Sequence, residues 1–298
     1  QGATPIGPFN DWVNELRSTG YVHNHARMWM ASIWVFTFNL PWQLGADFFF
    51  RHLCDGDPAS NTLGWRWVAG LHTPGKTYLA TASNIRKCAG ERISDPCNHS
   101  TGLNRLATTA IAPLEQLSVS ALQTTQIHWP GPLGGCAGST DALGRIGMMV
   151  TEEDLDLHLP HPPQALAALS ATPRSPVAQT SDLVQDFLQG ALADTLRRGS
   201  LEHADSLDTW AAEPMDEQVL AEWFAQQGIK TVVHAYVPCG PTRMRLGRLT
   251  ELLAARGIAL VPFMRDYDRL VWPHATKGFF QLGKRIPDFL ATMKLAHG

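Results

Sequence analysis

The chain has 298 residues, 44% of them apolar and 17% charged, with a formal net charge of −3. That length supports two hydrophobic cores, and the near-neutral balance forces no strongly basic surface, so tight sequence-independent nucleic-acid binding is not predicted from the totals. Five cysteines without CxxC spacing (Cys54, Cys88, Cys97, Cys136, Cys239) exclude a disulfide frame and a zinc knuckle, and predict free thiols in a reducing, cytoplasmic setting.

Residues 1–110 hold 9 Lys/Arg against 7 Asp/Glu and the remainder 15 against 20, so a modest basic face is allowed on the N-terminal part alone. No signal peptide is visible. The chain opens on Gln1, which predicts processing or an upstream segment elsewhere.

In chain order, residues 9–18 have helical spacing. Residues 23–39 predict a long apolar helix, and 42–53 a second carrying Phe48, Phe49, Phe50 and Leu53. Met28 to Ala46 lacks any charged side chain. Asn39, Pro41 and Gln43 interrupt it, which predicts a core helix ending before Pro41 and no membrane insertion. Asp57 followed by Pro58 is the pattern of an N-cap with Pro at the first helical position, opening a helix through Ala69. Strand signals are absent before about residue 105. Residues 106–145, rich in Thr, Ser, Gly, Pro and Ala, predict a linker.

From Ile146 the pattern changes. IGMMVT reads as a strand entering an acidic loop, and 179–198 and 216–227 read as helices. Residues 230–237 form a strand, 241–256 a helix stopped at Gly257, 258–264 a strand, and 285–296 a closing helix. The Gly240–Pro241 pair fits a tight turn or an anion site at a helix start. Strand–helix–strand with short connections predicts a parallel layer. The predicted fold class is therefore α plus α/β: a helical region over 1–105, a linker over 106–145, and a small parallel α/β domain over 146–298.

The chemistry-bearing residues cluster early. CDGDPASNTLGWRW (54–67) combines Asp55, Asp57, Asn61, Trp65 and Trp67, and GYVHNHARM (20–28) and Trp42 lie upstream. Singly, each has a plainer role: Asp57 as an N-cap, Arg27 with Asp55 as a structural ion pair, the tryptophans as core, Met28 as core filler. His23, His25, His158 and His161 lack supporting ligands at metal-site spacing, so no metal is predicted. There is no nucleophile elbow, P-loop or GxGxxG.

Taken together, the three blocks and their intervals resemble the FAD-binding helical domain of the DNA photolyase/cryptochrome family, over residues 1 to about 85. The resemblance implies FAD as cofactor and UV-damaged DNA as partner. It implies that Arg27 and Asp55 pair beside the flavin ring, that Asp57 contacts its polar edge, and that Asn61 faces its reactive nitrogen. Asn24, Met28 and Trp67 would line the pocket for a flipped pyrimidine dimer, and Trp65 and Trp42 would begin the tryptophan chain that reduces the flavin. Met28 in place of His and Asn61 in place of Asp lean towards a cyclobutane-dimer photolyase. Leu63 and the HNHARM variant keep a cryptochrome open.

The family's diphosphate-cradling Ser/Thr segment has no counterpart in residues 1–20. This predicts that a partner chain or a cleaved upstream segment completes the site. Residues 231–263 and 272–287 are similar to the later half of the family's antenna domain, which there precedes the FAD domain and here follows; an unusual domain order or an independent α/β domain explains this, and a second, antenna chromophore is left unspecified. Three readings follow: light-driven dimer repair, a cryptochrome-like photoreceptor without repair, or a non-catalytic scaffold subunit.

Overall fold

The computed structural model describes residues 2–72, 77–89, 106, 130, 144–159, 162–171, 173–276 and 279–295. Apart from Leu106, Pro130, Gly144 and Arg145, the predicted linker lies outside the described residues. The chain forms two compact units. One comprises Gln1–Gln123, Thr172–Gly190 and Cys239–Pro241; the other comprises Thr124–Ala171, Ala191–Pro238 and Thr242–Gly298.

The first unit is helical. Helix α1 (Gly7–Thr19) begins with Pro8 in its first turn and ends at Gly20, whose φ of 69° lets its N–H reach Leu16 O at 2.9 Å. A Cβ there would strike Cys54 Sγ and Leu183, so the position tolerates no side chain. Helix α2 (Asn24–Ser32) does not run to residue 39 as one α-helix. It widens into a π-helical turn, Ile33–Thr37, with Phe38 N–H bonding Ile33 O at 2.9 Å. Asn39 then turns the chain with a φ of 51°. Pro41 forbids continuation of the helix.

Helices α3 (Trp42–His52) and α4 (Pro58–Val68) pack face to face. Gly45 makes this possible, because a Cβ there would overlap the Trp65 indole. Asp57 caps α4 as its sequence predicts, accepting a hydrogen bond from Ser60 N at 2.6 Å. Helix α5 (Ala82–Ala89) follows, after Ala80 N donates to the buried Ser32 Oγ at 2.8 Å. The core comprises Trp12, Trp29, Met30, Ile33, Phe49, Leu53, Trp65 and Val68, among others.

A later part of the chain also belongs to this unit. Arg174 donates through Nη1 to the carbonyls of Phe50 (3.1 Å) and Leu53, and through Nη2 to that of Cys54 (3.4 Å). Its guanidinium lies 5.1 Å over the Phe50 ring. A cation at the carbonyl end of α3 satisfies orphan acceptors and opposes the helix dipole favourably.

The second unit is α/β. Strands β1 (Ile146–Val150), β2 (Ala165–Ala168), β3 (Thr209–Trp210), β4 (Thr231–Ala235) and β5 (Ala259–Phe263) form one parallel sheet in the order β3-β2-β1-β4-β5. Met148 pairs with Leu166 on one side and Val233 on the other. Helix α6 (Asp182–Glu202) starts in the first unit and belongs to this one from Ala191; helices α7 (Glu217–Gln226), α8 (Pro241–Ala254) and α9 (Asp266–Val271) follow, with two short helices, α10 (Phe279–Gly283) and α11 (Ile286–Thr292), after them. The α plus α/β class is thus the observed one. Strand β2 carries no recognisable signal, since ALAA is a helix-favouring composition. Complete burial of all four residues between β1 and β3 overrides that preference.

One buried ion pair stands out in this unit. Arg245 donates to Glu217, and Arg248 Nη2 meets the other Glu217 oxygen at 2.7 Å. The hydrogen bond from Arg245 is the largest cause holding the Glu217 carboxyl down at about 2. Among the described residues, no helix is long and apolar enough to cross a membrane.

Candidate functional site

In the helical unit, α2, α4 and the turn between α3 and α4 enclose a cavity of about 280 Å³. Eight of the nine residues singled out from sequence line it: Asn24, Arg27, Met28, Asp55, Asp57, Asn61, Trp65 and Trp67. The helical period explains the convergence. Asn24, Arg27, Met28 and Ala31 share one face of α2, as do Ser60, Asn61, Gly64, Trp65 and Val68 on α4. The DGD turn closes the end between them.

Arg27 is fixed at both ends of its guanidinium. Its Nε donates to Val22 O at 2.8 Å, and its Nη2 donates to both Asp55 oxygens at 2.9 and 3.1 Å. The Tyr21 ring lies 5.3 Å away. Asp55 is more than half exposed, so the pair adds little stability; its effect is to present a neutralised rim. Asp57 spends one oxygen on its cap and keeps the other. The Asn61 amide donates through Nδ2 to Ala46 O at 2.8 Å, which fixes its orientation and leaves Oδ1 able to accept.

The walls are apolar. Trp65 is only 3% exposed, and its Nε1 is buried with no hydrogen-bond partner. Phe49 meets it edge-to-face at 5.0 Å and Trp34 at 6.2 Å. At the mouth, Trp67 is 44% exposed and leans on Tyr78, with centroids 5.5 Å apart. A Cβ at Gly64 would meet no atom within 4 Å, so this stretch of wall is open space.

The ninth residue, Trp42, does not line the cavity. It lies in a separate depression with Gln43, Ala46, Asp47, Phe50 and Asn61. Asn61 alone of the nominated residues borders both hollows.

Three further side chains escaped the sequence reading. Arg174 braces the Leu53–Gly56 turn from more than a hundred residues away, and no local signal marks it. Tyr78 backs Trp67, and Trp34 sits against Trp65. Trp34 was hidden in an apolar run where an indole reads as ordinary core.

The donor set suits a flat heteroaromatic ring. A guanidinium, an orientable amide oxygen and spare carboxylate oxygens border one side, and Ala31, Phe49, Trp65 and Val68 supply the apolar faces.

An all-helical unit with a cavity between α2 and α4 is the class this fold defines. Residues 11–103 match the family described as the FAD binding domain of DNA photolyase, so the likeness to the photolyase/cryptochrome family is carried by this helical part. Over 67 residues the chain is 39% identical to a deoxyribodipyrimidine photo-lyase of Salmonella typhimurium, covering 22% of this chain and 14% of that protein. A Streptomyces griseus protein of the same name is 44% identical over 61 residues, 20% of this chain and 13% of the relative. A cryptochrome DASH of Idiomarina loihiensis is 37% identical over 70 residues, 24% and 16% respectively. The matched stretch thus spans less than a fifth of each of these relatives. No solved structure matches the chain.

Proposed function

We propose that the cavity between α2 and α4 holds the ring of FAD and that the protein acts in light-driven repair of cyclobutane pyrimidine dimers in UV-damaged DNA. The observation that carries this reading is the convergence of Asn24, Arg27, Met28, Asp55, Asp57, Asn61, Trp65 and Trp67 on one cavity. Bound FAD would supply the light-absorbing, one-electron chemistry.

The chain's own residues have separable tasks. Arg27, held by Asp55, offsets negative charge at the polar edge of the ring. Asp57 accepts from ring N–H donors, and Asn61 Oδ1 accepts without adding charge. Trp67, exposed and backed by Tyr78, offers a stacking face for an extruded base, with Met28 and Asn24 beside it. Trp65 is the first electron donor, with Trp42 the next indole that the family resemblance implies. The remainder of the dinucleotide would be held by an upstream segment or a partner chain, as the family resemblance implies. A second, antenna chromophore would fall to the α/β unit.

The similarity to a cryptochrome DASH favours one alternative, photoreception without repair. The deciding experiment illuminates the FAD-loaded protein with a dimer-containing oligonucleotide. Dimer reversal supports repair. Photoreduction without reversal supports the photoreceptor. A protein that takes up no FAD would refute both and leave a scaffold role.

A further inference from the structure

We infer, independently of the flavin reading, that the hollow between α8 and the edge strand β5 binds a small hydroxycarboxylate, its carboxylate on Arg243 and its hydroxyl donating to His234 Nε2. The hollow measures about 160 Å³ and lies wholly within the α/β unit. Drug-sized ligands fill sites of roughly 300–1,000 Å³, so a ligand here is small. Arg243, Leu246, Gly247 and Thr250 recur at the spacing of one face of α8. Strand β5 brings Leu260 and Pro262, and the β4–β5 register sets His234 beside Pro262.

The polar side chains define the ligand's chemistry. His234 is 2% exposed, and its Nδ1 lies 2.7 Å from Ala235 O. A carbonyl only accepts, so Nδ1 carries the proton and Nε2 is the bare, accepting nitrogen. Burial, with the Arg243 charge acting in the same direction, holds the His234 pKa at about 4, so the ring is neutral near pH 7. Thr250 spends its hydroxyl proton on Leu246 O at 2.7 Å, so its oxygen offers only lone pairs to a ligand. Two accepting side chains therefore line the hollow with one cation, Arg243. A metal ion is disfavoured beside the guanidinium. Phosphate brings mostly acceptor oxygens to a site with one donating group. A carboxylate meets the guanidinium fork in two parallel bonds, and an adjoining hydroxyl supplies the donor that Nε2 needs. Leu246, Leu260 and Pro262 cover the ligand's carbon atoms.

Gly247 fits an occupied hollow. Glycine weakens a helix interior relative to alanine. A Cβ at Gly247 would meet no atom within 4 Å, so crowding does not require the glycine, and its helical backbone does not either. Its missing side chain keeps the hollow open.

The test titrates the full chain with glycerate and follows the histidine rings by nitrogen NMR, His234 being assigned by the signal lost in His234→Phe. Saturable binding is expected, with the Nε2 resonance moving away from that of a bare ring nitrogen. Propionate, which lacks a hydroxyl, should bind at least about tenfold more weakly, the factor set by one hydrogen bond. Arg243→Gln, at an exposed position, should weaken glycerate binding by more than about tenfold. Gly247→Leu should fill the hollow and abolish binding without lowering the melting temperature. Absence of saturation, or an unmoved His234 resonance, overturns the inference. Binding that survives in Gly247→Leu also overturns it, since glycerate then sits elsewhere. Phosphate or alanine binding more tightly than glycerate overturns the hydroxycarboxylate assignment. Should Gly247→Leu fail to fold, Arg243→Gln decides, and unchanged affinity there overturns the site.

Discussion

Arg174→Ala tests how the cavity is braced. The side chain donates to the carbonyls of Phe50 and Leu53, makes a longer bond to Cys54 O, and lies over the Phe50 ring. Hydrogen bonds from a charged donor contribute about 1.5–3 kcal/mol each and a cation–ring contact about 0.5–1 kcal/mol. Water replaces part of this once the side chain is gone, so the expected loss is about 2–4 kcal/mol. For a unit of this size that corresponds to a fall of roughly 6–14 °C in melting temperature. The same carbonyls end α3 and lead into Asp55 and Asp57, so FAD affinity should fall alongside. Arg174→Lys should recover little, because a single ammonium does not span three carbonyls as the fork does. Scanning calorimetry and flavin titration read both effects. A variant that melts within a degree of wild type and binds FAD equally well would refute the bracing argument.

Further outcomes follow from single contacts. Gly45→Ala places a methyl group in the Trp65 indole and should cost about 1–3 kcal/mol, with a changed near-ultraviolet tryptophan signal. Asp57→Ala removes the α4 cap and should cost about 1 kcal/mol in chemical denaturation. Trp67→Ala should abolish binding of a dimer-containing oligonucleotide while FAD binding persists, since Trp67 sits at the mouth and Trp65 in the wall; fluorescence anisotropy checks it. The Glu217 carboxyl has a folded pKa of about 2 against an ordinary 4.5. Its contribution is therefore complete above pH 4.5 and lost as pH falls from there towards 2, by up to about 3 kcal/mol. Glu217→Gln should remove that part of the acid dependence of unfolding.

Much of the site was legible because it is local. Asp57–Pro58 states its cap in two adjacent residues, and the 3.6-residue period places Arg27 and Met28, or Asn61 and Trp65, on shared faces. The α/β layer was legible from β1, β4 and β5, whose β-branched and apolar runs contrast with their surroundings. Strand β2 was not, because four small residues acquire strand character only through burial between neighbours. The π-helical turn was missed because no residue propensity in Ile33–Thr37 marks one. Arg174 was missed for a stronger reason: it acts on Leu53 across 121 residues of sequence, and no local pattern encodes such a pairing.

The cavity between α2 and α4 is proposed as a site of flavin photochemistry. The visible absorption spectrum of the protein incubated with FAD and freed of excess, recorded before and after blue light in the presence of a thiol, tests it most directly. Retained, structured flavin bands that bleach on illumination are expected, with both retention and bleaching impaired in Arg27→Ala and bleaching alone impaired in Trp65→Phe. A colourless protein, or bound flavin whose bleaching is unaffected in Trp65→Phe, would contradict it.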